Sequence, residues 1–259
     1  MWPFRLSPWQ NRDEDPAFFV QVRFDGDMAN GALSRLRKHY PDARIILVSD
    51  GDDDPAHRHL ATHHHAEYVQ DAWLYGLESG GRMIERMLKI FLKGRGTHLI
   101  KIDTDTRFDR TFSSLPKTDG VFGVLLPDGQ TQGGCVIIPK TTARTLLRSG
   151  IFLRPELTSP EVWGKLFSKP FLANRIRTTG MIGFEWVLHW GCCQIGIHTY
   201  PWPEIHSTWK AGIVNADLRF AVVHPDKFIS SQDEMIHDQE ILTHAMICDA
   251  LVDKMYADA

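Results

Sequence analysis

No Cys-x-x-C pair occurs among the four cysteines of this 259-residue chain, Cys135, Cys192, Cys193 and Cys248. Cys192 and Cys193 lie in a Trp- and Ile-rich stretch, which predicts buried free thiols and a reducing, cytoplasmic compartment. Long hydrophobic runs are missing too. None reaches the ~18 residues a membrane span needs, so no transmembrane segment is expected. Met1 to Asp15 has no continuous apolar core and does not read as a secretion signal. Nor is there an excess of positive charge. With 29 Lys+Arg against 32 Asp+Glu the formal net charge is −3, which argues against a nucleic-acid binder driven by bulk electrostatics. Repeats, low-complexity segments and linkers are absent as well, so a single domain over residues 1–259 is expected.

The remainder is ordinary globular composition, 43% hydrophobic and 24% charged, at a length that suits one α/β domain with a sizeable core. Ala17 to Phe24 is rich in β-formers and predicts the first core strand. Met28 to Tyr40 has helical spacing. Ala43 to Ser49 is a continuous apolar run, typical of a strand buried on both faces. A short His-rich helix follows the Asp50-Gly51-Asp52-Asp53-Asp54 run, then a strand over Ala66 to Gln70. Arg82 to Lys93 is strongly amphipathic, with Met83, Ile84, Met87, Leu88, Phe91 and Leu92 on its buried side. Strand and helix thus alternate through the first hundred residues, which predicts a mostly parallel central sheet flanked by helices.

The second half changes character. Strands are expected over Asp119 to Leu126, Gly133 to Pro139, Gln194 to His198 and Phe220 to His224. Helices are expected over Lys140 to Ser149, Gly183 to Trp190 and the tail from Asp233 to Ala259. Residues 151–180 read as irregular.

The stretch His98 to Phe108 carries the chemistry. An apolar run (Leu99, Ile100, Ile102) ends on Asp103 and Asp105, one residue apart. Burying a carboxylate is costly unless it is paired or binds a metal, and hard divalent cations take oxygen ligands and bridge carboxylates to phosphates. In parallel sheets ligands bind beyond the carboxyl ends of the strands. Three expected strands end in acids there: Asp25, Asp50, and Asp103 with Asp105.

This order of elements resembles the GT-A class of nucleotide-sugar glycosyltransferases over most of the chain. The resemblance rests on the acid ending the second strand, the Asp103-Thr104-Asp105 motif, the Gly133-Gly134-Cys135 strand, the acid Glu185 at a helix start and the late histidine His224. It implies a GT-A, Rossmann-like α/β fold with a smaller acceptor-side sheet. The nucleotide-binding half would span about 17–110 and the acceptor-binding half about 111–259. It also implies a metal site, Mn²⁺ or Mg²⁺, held by Asp105 and His224 with Asp103 reaching the metal or the ribose. Arg23, Phe24, Asp25 and Asp50 would face the nucleoside, and Lys227 the diphosphate. The donor would be a nucleoside-diphosphate sugar, UDP-linked by preference, and the acceptor a carbohydrate or other hydroxyl. Glu185 would be the general base of an inverting reaction.

Each residue has a plainer reading. The two aspartates could be turn acids, His224 a partly buried histidine, and Glu185 an acid favoured by the helix dipole. Asp52 to Asp54 read as a solvated turn and helix cap. His57, His59 and His63 to His65 suggest zinc by spacing, but no carboxylate or thiol completes such a site, so they read as a solvated helix face. Trp202, His206 and Trp209 suit either core packing or stacking on a sugar ring. The rival enzyme is a haloacid-dehalogenase-like phosphatase, with Asp103 as nucleophile and Asp105 as acid/base. That motif normally opens its domain and needs a later acidic pair, which nothing after residue 110 supplies. A catalytically silent nucleotide-sugar-binding module is the non-enzyme alternative.

Overall fold

The structure, a computed structural model, describes residues 14–23, 25–51, 53–72, 74, 77–126, 129–154, 170, 184–207 and 220–224. Four strands, β1 (Pro16–Val22), β2 (Arg44–Asp50), β3 (Glu67–Asp71) and β4 (His98–Ile102), pair in parallel. Helices α1 (Gly26–His39), α2 (Pro55–His63) and α3 (Leu77–Leu92) fill the crossovers between them. The sheet continues past β4 with β7 (Cys135–Pro139), β6 (Val121–Gly123) and β8 (Thr199–Pro201), in the order β3-β2-β1-β4-β7-β6-β8. Only β7 runs against its neighbours; β6 and β8 are parallel to each other. The chain is therefore an α/β protein with a mostly parallel, mixed seven-stranded sheet. A second sheet of three short strands joins β5 (Arg107–Phe108), β10 (Val222–His224) and β9 (Ile205–Ser207).

The alternation of side chains along these strands explains why both faces are covered. Ala17, Phe19, Ile46, Val48, Leu99, Val136 and Ile138 enter one core, under α3, α4 (Lys140–Ser149) and α5 (Phe184–Gln194). Phe18, Val20, Ile45, Leu47, Ile100, Ile102 and Ile137 enter the other, under α1 and the small sheet. Ile84, Met87, Leu88 and Phe91 recur at helical spacing on α3 and are all buried, whereas Met83 and Leu92 are only partly so.

Two expectations for these elements need correction. Gln194 to His198 is not a strand. The α5 helix runs to Gln194, and the amides of Ile195 and Ile197 both return to the Cys192 carbonyl, at 3.2 and 2.9 Å. Gly196, at φ 70°, supplies the left-handed residue that this turn needs, and Ile195 and Ile197 pack beneath the helix end. The strand begins only at Thr199. The histidines of the α2 region are not a uniformly solvated face either. His57 is buried with Nδ1 2.9 Å from the Ser49 hydroxyl, and His64 is buried with Nε2 2.7 Å from Asn30 Oδ1. Asp54 caps α2 as expected, accepting from the Ala56 amide at 2.8 Å. The expected tail helix over 233–259, most of the irregular stretch 151–180, Asp52, Trp209 and Cys248 lie outside the described residues.

The amino-terminal end of β2 is closed by arginines. Arg37 donates to the carbonyls of His64, Ala43 and His65, and Arg44 to those of Phe91 and Ile90 and to Glu67. Those of His64, Phe91 and Ile90 are carbonyls that the ends of α2 and α3 leave open. The opposite end, where β1 and β4 stop, is acidic. Among the described residues no helix is long and apolar enough to cross a membrane.

Candidate functional site

The parallel register of β1 and β4, with Val20 opposite Ile102, brings the segments beyond the two strands to one place. Asp25 stands at the N-cap of α1, yet its side chain does not cap the helix. One carboxylate oxygen accepts from the Arg23 amide at 3.1 Å, and the other accepts from the hydroxyl of Thr104, the residue between the two aspartates. A group that ordinarily satisfies a helix amide is thus spent on joining the end of β1 to the Asp103-Thr104-Asp105 turn.

That turn is also tied to the Gly133-Gly134 segment ahead of β7. The Asp103 amide donates to the Gly134 carbonyl at 3.1 Å, and the Thr106 hydroxyl donates to the same oxygen at 2.5 Å. Thr106 is fully buried, whereas the Asp103 side chain is 41% exposed. Asp105 is half-buried, with its Oδ1 out of contact with solvent. Glu185 opens α5 beside them. A Cβ at Gly133 would lie 2.1 Å from Glu185 Oε1, so glycine at 133 is what admits this carboxylate.

Lys101 lies at the centre of these acids. Its position on β4 alternates with Ile100 and Ile102 and therefore faces α3 and α5. The Nζ ion-pairs with Asp103, donates to the Gly133 carbonyl at 2.7 Å and sits 5.0 Å from the centre of the Phe184 ring. Burial works against the ammonium, but Asp103, Glu185 and Asp105 outweigh it and hold the lysine above its ordinary pKa.

Asp50 is placed differently from Asp25 and Asp103. Its carboxylate is buried and accepts from Gln21 Nε2 at 2.7 Å, from Arg86 at 3.1 Å and from the Leu74 amide at 3.1 Å. Arg86, on α3, also donates to the Ala72 carbonyl at 2.8 Å. Asp50 and Arg86 together fix Ala72 and Leu74, just beyond the end of β3. Of the other expected residues, Arg23 comes directly after β1 with a half-buried side chain, while Phe24 and Lys227 lie outside the described residues. His224 ends β10, which runs antiparallel to β5 with Val223 opposite Arg107, so its backbone heads toward the 103–106 turn. Only the backbone of His224 is described. Trp202 packs edge-on against Phe122 and His206 stacks on Phe220 at 4.4 Å, so both are engaged in packing. The cysteines separate: Cys192 is buried, its thiol pushed up to about 12 by burial, whereas Cys193 is exposed, contrary to the expectation for the pair.

The structure ties Asp25 to the Asp103–Asp105 turn through Thr104 and sets Asp103, Asp105 and Glu185 around Lys101, the one member of the site not singled out beforehand. Lys101 carried a signal, a lone charge inside an apolar strand two residues ahead of the first acid. Thr104 and Gly133 lay within motifs already singled out, but nothing in the sequence marked their contacts with Asp25 and Glu185. Among the described residues no three His, Cys, Asp or Glu side chains converge as a metal cluster. Asp103 and Asp105 are nonetheless two hard oxygen donors on one turn, a donor set that fits Mg²⁺ or Mn²⁺. Compared with protein-family models and with curated proteins, the chain gives no match.

Proposed function

We propose that the chain is a metal-dependent glycosyltransferase of the GT-A class, moving a sugar from a nucleoside-diphosphate donor, UDP-linked by preference, to a hydroxyl acceptor. The observation that carries this reading is the Thr104–Asp25 hydrogen bond, which joins the β1 end to an Asp-x-Asp turn at the carboxyl ends of a parallel sheet. The small sheet supports it as well, since β10 lies against β5, whose first residue is two past Asp105.

In this reading Arg23 and Asp25 line the nucleoside side, and the parts expected of Phe24 and Lys227 fall on residues outside the described ones. Asp50 acts through Arg86 and its bond to the Leu74 amide. Asp105 and Asp103, with His224 as the expected third ligand, would hold a divalent cation, which when bound would offset the negative charge of the departing diphosphate. Glu185 takes the proton from the acceptor hydroxyl, its carboxylate fixed by contact with Gly133 and by the field of Lys101. The Asp103–Lys101 pair and the Gly134 contacts hold the turn rigid, so donor binding does not have to order it.

A thermal-shift screen of nucleotide sugars tests this. The expected result is a rise in melting temperature for a UDP-sugar that requires Mn²⁺, because a ligand bound only by the folded state stabilises it. No shift with any UDP- or GDP-sugar in the presence of metal would contradict it.

A further inference from the structure

Lys101 has no part in the motif that suggested the site, and its surroundings are unusual. The side chain is 12% exposed, ion-paired to Asp103 and bonded to the Gly133 carbonyl at 2.7 Å. Glu185, in contact with Gly133, and Asp105 add negative charge around it. A buried ammonium is costly unless paired, and this one is placed where it touches a carboxylate of the turn on which the cation would sit.

We propose that Lys101 is a positioning residue that serves as the site's internal counter-cation: it holds Asp103 against the Gly133 segment and competes with the divalent metal for that carboxylate. The inference rests on the metal-site reading above. Its consequence is that the protein without nucleotide binds metal weakly, since the lysine already neutralises the acids and repels a second cation. The diphosphate of a donor brings the negative charge that tips the balance toward the metal. Metal and nucleotide then bind together, and free metal is not retained.

The direction of the effect separates this role from simple structural support. Loss of a supporting residue weakens metal binding, whereas loss of a competing cation strengthens it. Lys101→Met, of similar length and without charge, is expected to bind Mn²⁺ alone about 5–10-fold more tightly than the native protein, a modest charge–charge effect for a partly exposed site. Lys101→Arg is expected to stay within about twofold. Free Mn²⁺ is read from its electron paramagnetic resonance signal during titration, with no nucleotide present and with circular dichroism confirming the fold. If Lys101→Met fails to fold, Lys101→Gln, which keeps a donor for the Gly133 carbonyl, carries the same expectation. Unchanged or weaker Mn²⁺ binding in a folded neutral variant overturns the role of Lys101 and leaves the metal site standing. No Mn²⁺ binding by any of the proteins overturns the metal site, and this inference with it.

Discussion

Asp25, Lys101 and Glu185 share a trait: each departs from what its position would ordinarily provide. Asp25 leaves the amides of its own helix for Thr104. Lys101 occupies a core-facing strand position where its neighbours Leu99 and Ile102 are fully buried and apolar. Glu185 stands in the first turn of α5, where the dipole alone would favour an acid, but its carboxylate presses on Gly133 across the site. Such local inconsistencies are expected where a chain serves chemistry over stability. The role given to Glu185 is tested by Glu185→Gln, which keeps the shape and removes the base. Turnover of a donor and acceptor pair is expected to fall by about 10²–10⁴-fold with donor affinity nearly unchanged. Turnover within a few-fold of native would move the base elsewhere.

Between elements, the Gly133-Gly134 segment is where β4, β7 and α5 meet. Gly133→Ala places a methyl against the far end of the Glu185 side chain, which can swing aside. The melting temperature is therefore expected to fall only slightly while turnover falls steeply; a steep loss of both would make Gly133 a packing residue. At the other end of β4, His98 is buried, its Nε2 donating to the Pro116 carbonyl at 2.7 Å. Burial holds its pKa below the ordinary value of 6.5 despite that bond and nearby Glu14. The unfolded chain then binds the proton more readily than the folded one, so His98 costs stability as pH falls through about 6.5. Melting temperature is expected to drop from pH 7.5 to 5.5 in a series of buffers, and less so in His98→Gln. Equal slopes would show that other groups carry the effect. Elements β1, β2, β4 and α3 are legible from sequence because continuous apolar runs and a 3.6-residue period leave few other ways to bury them. Ile195 and Ile197 mislead, since a spacing of two is shared by a strand and by a helix-terminating turn that tucks both under the core. Glycine at 196 was the signal that decides between them. The histidines mislead for another reason: one hydrogen bond to Ser49 or Asn30 suffices to bury an imidazole, and pairing across elements leaves no trace in spacing.

Across the whole molecule, the sheet has two unlike ends. Where β2 begins, arginines close carbonyls at the ends of two helices; where β1 and β4 finish, carboxylates gather around one lysine. This polarity is partly legible, because the acids follow apolar runs in the sequence. Lys101 and Thr104 acquire their meaning only when the parallel register sets Asp25 beside the Asp-x-Asp turn. Asp50 shows the limit of the sequence argument: it ends a strand as Asp103 nearly does, but its carboxylate goes to Arg86 and Gln21. The central claim is that the carboxyl ends of these strands hold a nucleoside diphosphate through a divalent cation. Calorimetric titration with UDP, once with Mn²⁺ and once with EDTA, tests it most directly. Binding is expected only with Mn²⁺, and Asp105→Ala is expected to abolish that dependence. Equal UDP affinity in EDTA and Mn²⁺, or no heat with UDP or GDP when metal is present, would contradict the account.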